Sequence, residues 1–193
     1  MKRVLLVLSF VICHLSFSAA QSDFQKAVAK YKNATTVTAA VTKTSHKDAI
    51  AKDVVTQGKL LMKKPSEVGI VIDGDKDQLL MQGSTFTMMV KGKKHVTSSE
   101  RNKQFASFQA VFESILSGGA KDISSLSDLT IQKQGQLLVL TITPKAESKK
   151  EARRMMFSSF VLTIDTKTSE LKSLRMNERG GYTEYAFSGF KFN

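Results

Sequence analysis

Two rhythms of hydrophobic and polar residues divide this chain. Most of it alternates apolar with polar positions, the period of a β-strand, and two stretches repeat with the period of an α-helix. The clearer helix spans Asn102 to Ser117. Phe105, Phe108, Val111, Phe112, Ile115 and Leu116 fall on one helical stripe there, and Gly118-Gly119 supplies the stop. The other runs from Ser22 to Asn33, with Ser22 as cap, Gln25 completing a capping box, and Phe24, Val28 and Tyr31 on one face. Ile123 to Leu129 reads as a further short helical turn.

The alternating stretches predict strands at Thr36 to Ser45, Val54 to Lys64, Val68 to Ile72, Gln78 to Gln82, Thr85 to Lys91 and His95 to Thr97. Val37, Ala39 and Val41 share one face of the first. Asp73-Gly74-Asp75, Gly83-Ser84 and Gly92-Lys93 read as the turns between later strands. Strands resume after the Phe-rich helix at Leu129 to Lys133, Leu137 to Thr143, Met156 to Asp165, Glu170 to Asn177 and Tyr182 to Phe187. Met156, Phe160, Leu162 and Ile164 are expected on one face, and charged Pro144 to Arg153 as a loop. The fold class is therefore mainly β with helices (α+β). About ten to eleven strands in sequential hairpins make an antiparallel meander that curls into a barrel or half-barrel. No repeat or interdomain linker interrupts residues 21–193, which form one domain.

A curved sheet cannot fill its own concave side, and the Phe105 to Leu116 stripe is suited to cover it. Such a stripe is ordinarily plain core. Two features point further, to a cavity: Met62, Met81, Met88, Met89, Met155, Met156 and Met176 offer an adaptable lining, and Thr and Ser stand beside the apolar faces. One stretch is unusual. Gly58 to Pro65 is an apolar strand that runs into a lysine pair and stops at a proline, which cannot donate to a ladder. Alternation puts Leu60, Met62 and Lys64 on one face. A lysine closing an apolar face either snorkels to water or meets a polar partner, because an unpaired buried charge is costly.

The amino terminus carries Lys2-Arg3, an apolar run from Val4 to Phe17, and Ser18-Ala19-Ala20 with the small residues of a cleavage site. That pattern is a secretory signal peptide over residues 1–20, too short for a membrane span. The single cysteine, Cys13, lies within it, so the mature chain has no disulfide and no thiol chemistry. A bacterial periplasm fits. The formal charge of +12 falls to about +10 once Lys2 and Arg3 are lost, which favours anionic partners without choosing among them.

Catalytic chemistry is missing from the pattern. His46 and His95 stand outside any motif, and no zinc spacing, phosphate loop or nucleophile elbow occurs. Asp73, Asp75 and Asp77 mimic only part of a calcium loop. The aromatics are not interleaved with lysines as a nucleic-acid platform requires. The sequence argues against an enzyme and for no cofactor, no metal and no nucleic acid.

In order and spacing, three segments resemble one family. Gln57-Gly-Lys-Leu-Leu-Met-Lys-Lys-Pro65 looks like its glycine, apolar strand, basic pair and proline; Asp77 to Phe86 follows at the right distance; and Phe160 to Asp165, Leu174 to Asn177 and Tyr182 to Tyr185 match its end. That family is the periplasmic outer-membrane lipoprotein carriers (LolA-like). The resemblance implies an incomplete antiparallel β-barrel with a helical lid over a hydrophobic cavity. It implies acylated lipoproteins as cargo, an inner-membrane ABC transporter complex as donor, and the outer membrane or an acceptor there as destination. The carrier is expected to be a monomer. The acyl-chain cavity would be lined by Leu60, Met62, Phe86, Met88, Val90, Phe105, Phe108, Phe112, Ile115, Phe160 and Leu162. Lys64 stands where many members carry an arginine that holds the lid and gates loading. The alternative is an envelope binding module that holds anionic lipid or polysaccharide on its basic surface.

Overall fold

The computed structural model describes residues 20–72, 76–90, 92–146 and 148–193, without the side chains of Val90 and Arg154. All but the last residue of the predicted signal peptide, and the Asp73-Gly74-Asp75 turn, lie outside the described residues.

Helix α1 occupies residues 20–28 and tightens into a 3-10 turn at Ala29–Asn33. Ser22 therefore lies inside the helix and does not cap it. Its stripe is as expected: Phe24, Val28 and Tyr31 are buried. Six strands follow: β1 (Thr36–Lys47), β2 (Val54–Lys63), β3 (Glu67–Ile72), β4 (Asp77–Gln82), β5 (Thr85–Val90) and β6 (Lys93–Ser98). A 3-10 turn, Lys103–Phe105, leads into helix α2, Ala106–Leu116. Five strands and one helix complete the chain: β7 (Leu129–Gln134), β8 (Leu137–Ile142), α3 (Lys149–Arg154), β9 (Phe157–Asp165), β10 (Glu170–Glu178) and β11 (Gly181–Phe192).

The strands form one 11-stranded sheet in the order β6-β5-β4-β3-β2-β1-β11-β10-β9-β8-β7. Neighbours pair antiparallel throughout, and the long β1–β11 pair joins the two halves of the chain. The edges are β6 and β7, consecutive in sequence yet unpaired. The barrel is open at that gap. The segment connecting the two edges carries α2, so the chain inserts its Phe-rich helix where the meander breaks. Val37, Ala39 and Val41 of β1 and their counterparts along the sheet are buried against α1 and α2. The opposite face meets solvent, as alternation requires.

Three local expectations are corrected. Residues 123–128 form turns before β7 begins at Leu129, because Asp122 accepts hydrogen bonds from the Ser124 N–H and hydroxyl, both at 2.8 Å, and holds the chain in a side-chain turn. The charged segment before β9 is partly helical. Ser148 caps α3 by accepting from the Glu151 N–H at 3.1 Å, a signal available in the sequence. Met156 does not share the inward face of β9. The β9–β10 register shifts between Asn177 and Glu178, and this bulge reverses the alternation. Phe157 turns inward and Met156 is 45% exposed, whereas Phe160, Leu162 and Ile164 point in as expected.

Glycines fix two close approaches. A Cβ on Gly58 would lie 2.3 Å from the Val71 carbonyl oxygen and 2.3 Å from Ile72 Cδ1. Gly118, at φ +67°, lets the end of α2 rest on the 3-10 turn, where a Cβ would come within 2.5 Å of Lys32 Cβ. Gly118 and Gly119 also return their N–H groups to Ile115 and Ser114 carbonyls, closing the helix.

Gly58→Ala should lower stability by about 1–3 kcal/mol through overpacking between β2 and β3; an unchanged melting temperature would count against the close approach. A second test concerns Glu113 on α2. Burial raises its pKa, but hydrogen bonds from Lys121 and Gln109 and the Lys121 charge outweigh it and hold the carboxylate below its usual range. A depressed carboxylate stabilises the folded state above its unfolded pKa, and that contribution is lost as pH falls through the folded one. The wild type should therefore exceed Glu113→Gln in stability near neutrality by less than about 1 kcal/mol, a gap that closes on acidification. A gap that widens in acid, followed by thermal melting, would contradict the assignment.

Candidate functional site

The phenylalanines of α2 and of the 3-10 turn that leads into it meet those of the sheet in a single aromatic cluster. Phe105 stacks on Phe86 with ring centroids 4.7 Å apart and also faces Phe157 and Phe160 at 6.1 and 6.0 Å. Phe108 lies 4.9 Å from Phe160, 5.9 Å from Phe86 and 4.8 Å from Phe112. The tilted and offset geometries are those that the ring quadrupole favours. Leu60, Met62, Ile115 and Leu162 are buried in the same core, and Met88 packs against it partly buried. The described side chains among the predicted lining residues thus converge between α2 and the concave face; Val90 lies in β5, its side chain outside the described part. In this arrangement the rings fill the space under the helix.

Of the methionines proposed as a soft lining, Met62, Met81 and Met176 are buried. Met156 faces outward. The cluster includes two residues that sequence reasoning omitted. Phe157 was hidden by the β9 bulge. Gln104, 4% exposed, accepts the Phe157 N–H at 3.2 Å and donates to Asn102 Oδ1 at 2.9 Å. It stands four positions before Phe108, and a polar residue on an apolar stripe must find partners inside. That spacing was legible.

Few polar bonds tether α2. Gln104 holds its start to β9, Ser107 Oγ donates to Asp128 Oδ1 at 2.6 Å, and Ser114 Oγ donates to the Lys121 carbonyl at 2.5 Å. Ser99 Oγ, just beyond β6, donates to Gln109 Oε1 at 2.5 Å. The neutral bonds are worth about 0.5–1.5 kcal/mol each net, and the one to the Asp128 carboxylate about 1.5–3 kcal/mol. The aromatic contacts therefore carry most of the attachment.

Lys64 lies just beyond β2, half-buried, next to a cis peptide bond with Pro65. Its backbone N–H donates to the Thr35 carbonyl at 3.2 Å, and its Nζ donates to the Lys32 carbonyl at 2.5 Å. Lys32 is in the last turn of the 3-10 segment that ends α1. A cation there satisfies an orphan carbonyl and complements the negative end of the helix. Lys64 reaches α1, and through Lys32 it adjoins Gly118 at the end of α2. Leu60 and Met62 face the core as alternation predicts. Tyr31 anchors the same segment: its hydroxyl accepts the Leu171 N–H at 3.3 Å, and burial pushes its pKa far above the ordinary phenol range.

Of the Asp73, Asp75 and Asp77 group only Asp77 lies among the described residues. Asp77 pairs with Lys43 Nζ at 2.6 Å. His46 Nδ1 lies 2.7 Å from Asp53 Oδ1, and its ring stacks on Tyr182. Among the described residues no cluster of three His, Cys, Asp or Glu side chains could hold a metal, and no helix is long and apolar enough to cross a membrane.

No curated protein sequence matches the chain. Solved structures share its outline at low identity: lipoprotein LppX of Mycobacterium tuberculosis (16% identity, 90% of this chain and 95% of that one, TM-score 0.42), a LolA superfamily protein from Nitrosomonas europaea (12%, 90% and 93%, 0.40), and a putative outer membrane lipoprotein-sorting protein domain from Vibrio parahaemolyticus (9%, 92% and 93%, 0.45). The family model described as "Outer membrane lipoprotein carrier protein LolA" matches residues 32–193, from the end of α1 through every strand and the Phe-rich helix. With its open antiparallel sheet and α2 across the gap, the chain belongs to the LolA family of outer-membrane lipoprotein carrier proteins.

Proposed function

We propose that the protein is a periplasmic carrier. Exported and freed of residues 1–20, it takes acylated lipoproteins from an inner-membrane ABC transporter complex and passes them as a monomer to the outer membrane or an acceptor there. The observation that carries this reading is the aromatic cluster between α2 and the sheet, which can exchange one apolar partner for another. Each buried methylene is worth about 0.8 kcal/mol, so a chain of about sixteen carbons is held in a membrane by roughly 12 kcal/mol. Crossing water unaided is then negligible, and a substitute apolar phase is required. Fully burying one phenylalanine contributes about 1.5–3 kcal/mol. Lifting Phe105, Phe108 and Phe112 together thus costs about 5–9 kcal/mol, within what one acyl chain returns. α2 acts as the lid, and the rings that fill the space in the closed form line it in the loaded one.

The proposal is tested on protein purified from the periplasm. Native mass spectrometry should find lipoprotein or lipid on the wild type. Phe112→Asp and Phe108→Asp should carry none and should abolish transfer to outer-membrane vesicles. Each places a charge where it is costly, so α2 should swing out and become protease-sensitive while the sheet keeps its far-ultraviolet dichroism. Full transfer by either variant would remove the cluster from the mechanism.

Lys64→Leu removes the bond to the Lys32 carbonyl. Loading or release rates should change several-fold, with a stability loss of about 1 kcal/mol or less. A large fall in melting temperature with normal transfer would make Lys64 purely structural.

A further inference from the structure

Beside the start of α2 lies a recess of about 430 Å³, unlike the core in chemistry. Thr97, Arg101, Gln104, Lys150, Glu151 and Met155 bound it. Its volume falls within the roughly 300–1,000 Å³ typical of ligand sites. It adjoins the aromatic cluster at three places. Thr97 pairs with Phe86 across β5 and β6, Gln104 directly precedes Phe105, and Met155 lies two residues before Phe157. Gln104, held between Asn102 and the Phe157 N–H, forms a fixed polar floor between recess and rings.

We propose that this recess receives an acidic stretch of the polypeptide that follows the acylated end of the cargo. The inference rests on the acyl-carrier reading and adds a second, polar subsite to it. An acyl chain is unsuited to the recess, because it would strip water from polar groups without replacing their hydrogen bonds. A peptide offers carbonyl and N–H groups that can replace them. The charge balance sets the preference: among the described residues Arg101 and Lys150 face one carboxylate, Glu151, and neither cation is ion-paired. The position fits as well. A ligand whose acyl chains lie among Phe86, Phe105 and Phe157 would have its polar end emerge where the recess begins.

The chain has no tryptophan, so a tryptophan in the ligand reports binding without background. Three probes are compared: a palmitoylated peptide with two acidic residues after the acylated position, its counterpart with two lysines, and palmitoyl-tryptophan amide, which lacks the peptide. Wild type should bind the acidic lipopeptide about tenfold more tightly than the basic one, a preference that salt weakens. The double reversal Arg101→Glu/Lys150→Glu, at two exposed positions, should erase or invert that preference and leave the amide's affinity unchanged. If wild type binds every probe and the double variant keeps the same acidic-to-basic ratio, the recess does not read the peptide, while the carrier reading stands. An equal loss of amide binding in the variant would show that the recess is not a separate subsite. If wild type binds none of the acylated probes, the carrier reading falls and this inference falls with it.

Discussion

An open sheet with one apolar face cannot stand in water, and the structure depends on how that face is covered. Closing the barrel would remove the two free edges, but β6 and β7 do not pair. The chain places α2 across the gap, and its rings against Phe86, Phe157 and Phe160 replace the missing closure. A closed barrel would have a static core. A sheet completed by a helix has a core with a removable part, because its attachment consists mostly of apolar contacts that do not depend on one particular partner.

The energetic scales are matched. Hydrogen bonds to Gln104, Ser107 and Ser114 fix the seat of α2 without locking it. Any of them can be exchanged for water at about 0.5–3 kcal/mol, the upper end for the bond to the Asp128 carboxylate. The buried rings hold the helix more firmly than these bonds do, and in the proposed loaded form a ligand chain of comparable apolar area would take their place on the sheet. A helix held chiefly by a polar network would not suit the proposed carrier, since no acyl chain could replace those bonds.

Much of this was legible in the sequence because the two periods separate cleanly. The stripe from Phe105 to Leu116 could be nothing but a helix with one wide apolar face, and Val37, Ala39 and Val41 could only be one side of a strand. Part of what escaped was set by contacts distant in sequence. The β9 bulge depends on its register with β10, so Phe157 and Met156 exchanged faces. The turn at Asp122 and the cap at Ser148 are short-range signals in charged or polar stretches, where hydrophobic periodicity gives no warning. Gln104 lay in plain view on the apolar stripe. Its partner, the Phe157 N–H, could be identified only after folding.

The stretch from Gly58 to Pro65 joins these observations. Gly58 lets β2 approach β3 closely, Leu60 and Met62 contribute to the core under the lid, and Lys64 leaves the strand to bond the Lys32 carbonyl at the end of α1. Lys32 in turn packs on Gly118, the residue that stops α2. One short segment therefore touches the sheet, the core and the seam between the two covering helices. An arginine at position 64 could span several acceptors with its planar fork, whereas a lysine bonds as a point charge. The single carbonyl bond seen here makes this a light fastening. It suits a lid whose main attachment is the aromatic cluster, because a strong latch at the seam would oppose the exchange of rings for ligand that we propose.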